Sequence, residues 1–166
     1  GAVPVEGHRA LARALHRHTD RVRGYVCFNP LYARELTARL DAWFAHPFFV
    51  GFKLLCDYWN VPLTDPRFEP MWAYADAHRL PILLHTWDSA CNSPALLNAI
   101  VPRYPRAAFL LGHSGGGDRG RLEAEQLAVA HPNVYLEWCG SFCSAIQWEE
   151  TLRRVGADRV VFGTDT

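Results

Sequence analysis

The chain has 166 residues, 49% hydrophobic and 20% charged, a balance that suits one folded domain with a sizeable core and excludes a disordered polymer. Its 17 Lys and Arg offset 17 Asp and Glu, so no net field recruits nucleic acid or an anionic membrane, and the expected partner is a small molecule. Apolar runs such as RLPILLH fall far short of the roughly 20 residues that span a bilayer, and no basic segment leads into an apolar run at the N-terminus, so the expected compartment is the cytoplasm.

The opening EGHRALARALHRH reads as a helix, with the HRH of His16 to His18 on a solvated face. Six short apolar, β-branched runs follow: RGYVCFNP, FVGFKLLC, LPILLHT, AAFLLGHS, NVYLEWCG and RVVFGTD. They open near Gly24, Val50, Pro81, Ala108, Val134 and Val160, at intervals of about 27 residues, the length of a strand and a returning helix. Between the first two, LYARELTARLDAWFAH puts Leu36, Leu40, Trp43 and Phe44 on one helical face and closes before Pro47. TDPRFEPMWAYADAHR opens with Asp65 as N-cap and Pro66 at the first helical position, and NSPALLNAIV repeats the device with Ser93 and Pro94. DRGRLEAEQLAVAH and SAIQWEETLRRVG supply two more helices, so the expected order is α(βα)₅β over residues 1–166, without an internal linker.

Strands apolar on both faces and joined by helices imply a parallel sheet covered by helices. That leaves a doubly wound open sheet or a barrel of eight βα units, which takes about 250 residues. On the barrel reading this chain is an incomplete one, starting after the second strand and stopping on the eighth, and so part of a longer gene product.

Polar groups cluster where these strands end: Lys53 after VGF, His85 after PILL, His113 after FLLG, Glu137 after NVYL and Asp165 after VVFGT. Parallel α/β folds gather their sites at such ends. Two imidazoles and a carboxylate converging on one mouth suit a divalent metal, with zinc expected first and manganese second, and an open position for water. Alternation pairs His85 with Leu83 and Pro81, His113 with Leu111, and Asp165 with Gly163, whose missing side chain leaves room beneath the carboxylate.

In this order and spacing, GFKL, LPILLHT, FLLGHSGG, NVYLEW and DRVVFGTD resemble strands four to eight of the amidohydrolase superfamily, in its amidohydrolase-related branch of metal-dependent hydrolases and decarboxylases with a TIM-barrel fold. The resemblance implies that His85 is a metal ligand, that His113 binds a second metal or the substrate, and that Asp165 contacts the metal and accepts a proton. Some branches carboxylate a lysine at the place of Lys53 to bridge two metals; here one metal is expected, with Lys53 bracing the site or binding substrate. The family's first strand carries a His-x-His pair of ligands, and nothing here matches it.

Each residue has a plainer alternative. His85 can be a buried histidine bonded to backbone, His113 the start of a tight turn, Asp165 a helix cap and Lys53 an ion-pair partner. Glu137 is expected to line the site, with substrate contact as the less favoured role. Tyr58, Trp59 and Trp87, in the loops after the second and third strands seen here, can stack on a planar substrate or pack at the rim. Trp43, Trp72, Trp138 and Trp148 are expected between helix and sheet, and His8, His46, His78 and His131 at the surface. The cysteines Cys27, Cys56, Cys91, Cys139 and Cys143 are odd in number and lack a C-x-x-C pair, so reduced structural thiols are expected, although Cys139 and Cys143 have a spacing found in some zinc sites.

The leading expectation is a hydrolase in which metal-activated water, deprotonated with help from Asp165, attacks an ester, lactone or amide while His113 orients the substrate. Nonoxidative decarboxylation of an aromatic or unsaturated acid is the alternative, and a non-catalytic barrel fragment the second. Self-association as a homo-oligomer is left open.

Overall fold

A computed structural model describes residues 4–15, 18, 20–140 and 144–165. In chain order the elements are α1 (Pro4–Leu15), β1 (Gly24–Cys27), α2 (Ala33–Thr37), α3 (Leu40–Phe44), β2 (Phe49–Leu54), α4 (Cys56–Trp59), α5 (Glu69–His78), β3 (Pro81–His85), β4 (Ala108–Gly112), α6 (Asp118–Ala130), β5 (Val134–Trp138), α7 (Ala145–Val155) and β6 (Val160–Phe162). All six expected strands form. They pair in parallel in the order β1-β2-β3-β4-β5-β6. A doubly wound sheet reverses its order at a switch point, and these strands never do, so the winding is that of a (β/α) barrel.

The helices depart from expectation in two places. The run from Leu31 to His46 is two short helices, α2 and α3, meeting at Ala38 and Arg39. NSPALLNAIV is a 3-10 helix from Pro94 to Ala99 and a second from Val101 to Arg103. Pro102 has no N–H to return to Asn98, which stops an α-helix from continuing there. The caps hold: Asp65 accepts from the Arg67 N–H and Ser93 from that of Ala95, and Ser144 with Gln147 forms a capping box that starts α7.

Burial alternates along the strands. Val26, Phe52, Leu54, Ile82, Leu84, Phe109, Leu111, Val134 and Leu136 are fully or almost fully buried against Leu36, Leu40, Met71, Trp72, Ala124 and Leu127 of the helices. The opposite face is only partly covered and carries Tyr25, Cys27, Lys53, Leu83, His85, Leu110, Tyr135 and Glu137. Register sets it in rows: Cys27, Lys53, Leu83, Leu110 and Tyr135 lie side by side, and His85, Gly112, Glu137 and Val161 form the next row toward the strand ends.

His8, expected at the surface, is buried, because α1 packs on β1: its Nε2 accepts from the Cys27 N–H at 2.9 Å and its ring meets Trp43 and Phe49 edge-on. Trp138 and Trp148 pack against each other with centroids 4.8 Å apart. Cys27, Cys56, Cys91 and Cys139 are free thiols, whereas Cys143, and His16 and Arg17 of the HRH run, lie outside the described residues. Among the described residues no helix is long and apolar enough to cross a membrane.

Candidate metal and substrate site

His85 closes β3 and is half-buried, on the same face as Leu83. His113 reaches it by a route that alternation did not foresee. Leu111 faces the helices, so a straight continuation of β4 would carry His113 to that side too. Instead the strand stops at Gly112, and His113 and Ser114 take left-handed conformations, φ 62° and 46°, that turn the ring back over the open face. His113 Nε2 then lies 3.0 Å from His85 Nδ1. Its Nδ1 lies 3.3 Å from Cys139 Sγ and 4.0 Å from Asp165 Oδ2. Thus the three expected residues His85, His113 and Asp165 do meet, with His113 in the middle, and Asp165 is exposed at the rim.

Burial is the main cause that lowers the His85 pKa below the ordinary 6.5, and the neighbouring His113 and Lys53 push it the same way, so the ring is neutral at pH 7. Burial also lowers Lys53, against the opposing pull of Glu137, Cys139, Asp165 and Cys27. That list of charges places Lys53 over the same patch, although Glu137 stands beyond ion-pair distance.

Glu137 projects into a gap between glycines. A Cβ built on Gly163 would lie 1.6 Å from its Oε1, so residue 163 must be glycine for the carboxylate to stand where it does. The space expected beneath Asp165 belongs to Glu137.

Cys139 shares a face with Glu137, two residues before it. Its thiol is buried, and burial, then the neighbouring Glu137 carboxylate, pushes its pKa up to about 12. The sequence reading set it aside as a structural thiol; the period of two from Glu137 was the signal that could have placed it here. Thr86 was also missed. Its buried hydroxyl donates to Gly112 O at 2.6 Å and accepts from the Gly115 N–H at 2.9 Å, while Ser114 Oγ donates to Glu137 O, so both ends of the glycine loop are pinned.

Two aromatic rings flank the imidazoles. Trp87 lies parallel to His85 within 10°, centroids 6.4 Å apart, and edge-on to His113 at 5.6 Å. Gly116, at φ 69°, passes beneath this indole where a Cβ would come within 2.5 Å of the ring. Tyr58 meets His85 edge-on at 6.0 Å. Trp59, by contrast, packs against the core.

The donor set is suited to a divalent cation: imidazole nitrogen, carboxylate oxygen and a thiol, with the ligand atoms of His113, Cys139 and Asp165 all within 4.8 Å of one another. The two histidines constrain each other, however. In a neutral pair joined by one hydrogen bond, one outward nitrogen bears a proton and the other a lone pair, so a cation bound through both would have to break that bond.

The amidohydrolase family model matches residues 3–166. The chain belongs to the amidohydrolase family. No curated protein matches it. Among solved structures, 2,6-dihydroxybenzoate decarboxylase from Rhizobium is 18% identical with a TM-score of 0.75, over 98% of this chain and 66% of that one. A 5-carboxyvanillate decarboxylase from Novosphingobium aromaticivorans, complexed with manganese and 4-hydroxy-3-methoxy-5-nitrobenzoic acid, is 16% identical with a TM-score of 0.74, over 98% and 59%. A TIM-barrel protein from Bordetella bronchiseptica is 17% identical with a TM-score of 0.77, over 95% and 58%. At these identities the likeness is one of fold, and this chain covers 58–66% of these three chains.

Proposed function

We propose that the chain carries the His85–Asp165 side of a divalent-metal-dependent enzyme that decarboxylates an aromatic carboxylic acid without redox change. The observation that carries this reading is the aromatic wall: Tyr58 is 77% and Trp87 37% exposed, both beside His85 at the strand ends. Large exposed aromatic faces around buried polar groups favour a planar ligand. The decarboxylases among the structural neighbours act in the same sense, and manganese in one of them makes Mn²⁺ the metal to test beside Zn²⁺.

In this reading His85 and Asp165 hold the cation, which supplies a positive charge to fix an anionic substrate. Lys53 adds attraction for the substrate's carboxylate from the floor of the open face, and Trp87 and Tyr58 hold the ring and shed water from it. His113, whose two ring nitrogens meet His85 and Cys139, would orient a ring substituent only by exchanging one of those contacts. Asp165, after taking a proton from solvent water, would pass it to the ring carbon that bears the carboxylate; the bond to the carboxylate then breaks, its electron pair returns to the ring, and carbon dioxide leaves. Hydrolysis of an ester, lactone or amide would use His85 and Asp165 as well, and would engage the aromatic wall only with a planar substrate.

The test is product analysis on the full-length protein loaded with Mn²⁺ or Zn²⁺ and offered hydroxybenzoates. Release of carbon dioxide with formation of the phenol is expected, and His85→Ala should lose both metal and turnover. Formation of a new acid from an ester or lactone, without carbon dioxide, would return the hydrolytic reading; a preparation that binds no metal would leave a non-catalytic barrel.

A further inference from the structure

The two rings of the aromatic wall stand on different loops, and a hydrogen bond between side chains ties those loops beside the rings. Tyr58 lies in α4, a helix of four residues that is too short to be stable alone, and is 77% exposed. Trp87 lies in the turn after β3. Ser89 Oγ donates to Asp57 Oδ1 at 2.8 Å, so the tie runs from the residue before Tyr58 to the second residue after Trp87. The same oxygen accepts from the Asn92 N–H at 3.0 Å, and the Trp87 N–H donates to Asn92 O at 3.4 Å, which fixes Ser89 against the backbone that carries the indole. Trp87 has two further braces: Asp88 beside it pairs with Arg119 of α6 at 2.5 Å, and Gly116 passes beneath its ring. Tyr58 has less to hold it. It meets His85 edge-on at 6.0 Å and takes the rest of its position from the α4 backbone, in which the Asn60 N–H donates to Asp57 O at 3.2 Å.

We propose that Asp57 and Ser89 are positioning residues of the substrate site: their bond holds Tyr58 in place relative to the braced Trp87, and the paired rings select a flat aromatic acid over a saturated acid of the same size. The proposal rests on reading Tyr58 and Trp87 as the wall on which the substrate ring lies. A flat ring can approach aromatic faces and edges at contact distance, whereas a puckered ring carries axial hydrogens that keep it off them. Rings already in place need not be ordered when the ligand arrives, and each side chain immobilised on binding otherwise costs about 2–10-fold in affinity. A carboxylate acceptor makes the tie stronger than a hydrogen bond between neutral groups. Cutting it leaves the loops joined, since the Leu63 N–H donates to Cys91 O at 3.1 Å and Cys91 Sγ lies 3.9 Å from Asn60 Oδ1. Loss of the tie therefore loosens Tyr58 without undoing the loops.

The test is titration of the full-length protein, in the presence of Mn²⁺, with benzoate and with cyclohexanecarboxylate, read by NMR as a ratio of Kd values. Wild type should prefer benzoate. Ser89→Ala and Asp57→Ala should each cut that preference by about 2–10-fold, and the double variant no further, because the same tie is lost in all three. Ser89→Thr keeps the hydroxyl and Asp57→Asn keeps an acceptor oxygen, so both should hold the wild-type ratio. Asn lacks the charge, so its agreement with wild type separates the tie from any effect of Asp57 on an anionic ligand. An undiminished ratio in both alanine variants overturns the proposal, as do losses that add in the double variant or a loss in Asp57→Asn as large as in Asp57→Ala. Those results leave the aromatic wall standing. A wild type with no preference for benzoate overturns the wall and this proposal together. Thermal melting checks that each variant folds; if Ser89→Ala, which also strands the Asn92 N–H, does not, Asp57→Ala and Asp57→Asn decide.

Discussion

The Oε1 of Glu137 stands 1.6 Å from the point where a Cβ of residue 163 would be, so β5 places a carboxylate in space that β6 leaves open by having a glycine there. Gly163→Ala must therefore push Glu137 aside or move β6. We expect a loss of about 1–3 kcal/mol, the usual cost of overpacking, read as a lower urea midpoint with an unchanged slope.

Thr86 ties β3 to the glycine loop with one hydroxyl that serves two backbone groups. Thr86→Val keeps the shape and strands the Gly115 N–H, at a cost of about 1–3 kcal/mol. Hydrogen exchange at Gly115 should quicken in Thr86→Val and stay slow in Thr86→Ser.

The pH dependence of stability should carry the mark of His8. Burial lowers its pKa from 6.5. A histidine depressed in the folded state binds more protons when unfolded, so its contribution is whole above pH 6.5 and is lost as pH falls from 6.5 toward the folded value. Urea midpoints of the metal-free chain should drop below pH 6.5, and His8→Gln, which keeps an acceptor for Cys27 but does not titrate, should flatten part of that slope.

Trp87 is the part of the aromatic wall that stands beside both imidazoles, and its indole lies over Gly116. With an aromatic acid as substrate, Trp87→Ala should raise KM by about 2–10-fold, from the roughly 0.5–1.5 kcal/mol of one aromatic pair, with a smaller change in kcat. Trp87→Phe should recover most of the affinity. Equal losses in kcat and kcat/KM for both variants would argue that Trp87 acts on the reacting atoms instead.

Glu125 is fully buried in α6 and holds α7 to it, pairing with Arg121 and Arg154 and accepting from Thr151 Oγ1 at 2.5 Å. Glu125→Ala leaves a poorly solvated guanidinium at Arg121 and should cost about 3–5 kcal/mol, measured by chemical denaturation. Arg153→Ala, whose pair with Glu149 is exposed, should stay within about 1 kcal/mol of wild type.

Much was legible in the sequence because strand and helix periods are local. All six strands, the caps at Asp65 and Ser93, and the gathering of Lys53, His85, Glu137 and Asp165 at or near strand ends follow from residues a few positions apart. Short range also explains the errors. The helix expected from Ser93 is 3-10 from Pro94 onward and ends before Tyr104, and His8 was placed at the surface because nothing near it in sequence shows that α1 will lie on β1.

By itself, then, the sequence determined the class of fold and which side chains stand at the ends of the strands, since alternation along a strand is a property of the backbone. Only the tertiary structure decided how those side chains face one another. The left-handed turn at His113 and Ser114 reverses the side to which alternation would send the imidazole, and register lays Glu137 beside Gly112 and Val161. Contacts such as His113 with Cys139 join residues 26 positions apart, and they form because parallel strands bring distant segments to within about 5 Å of each other.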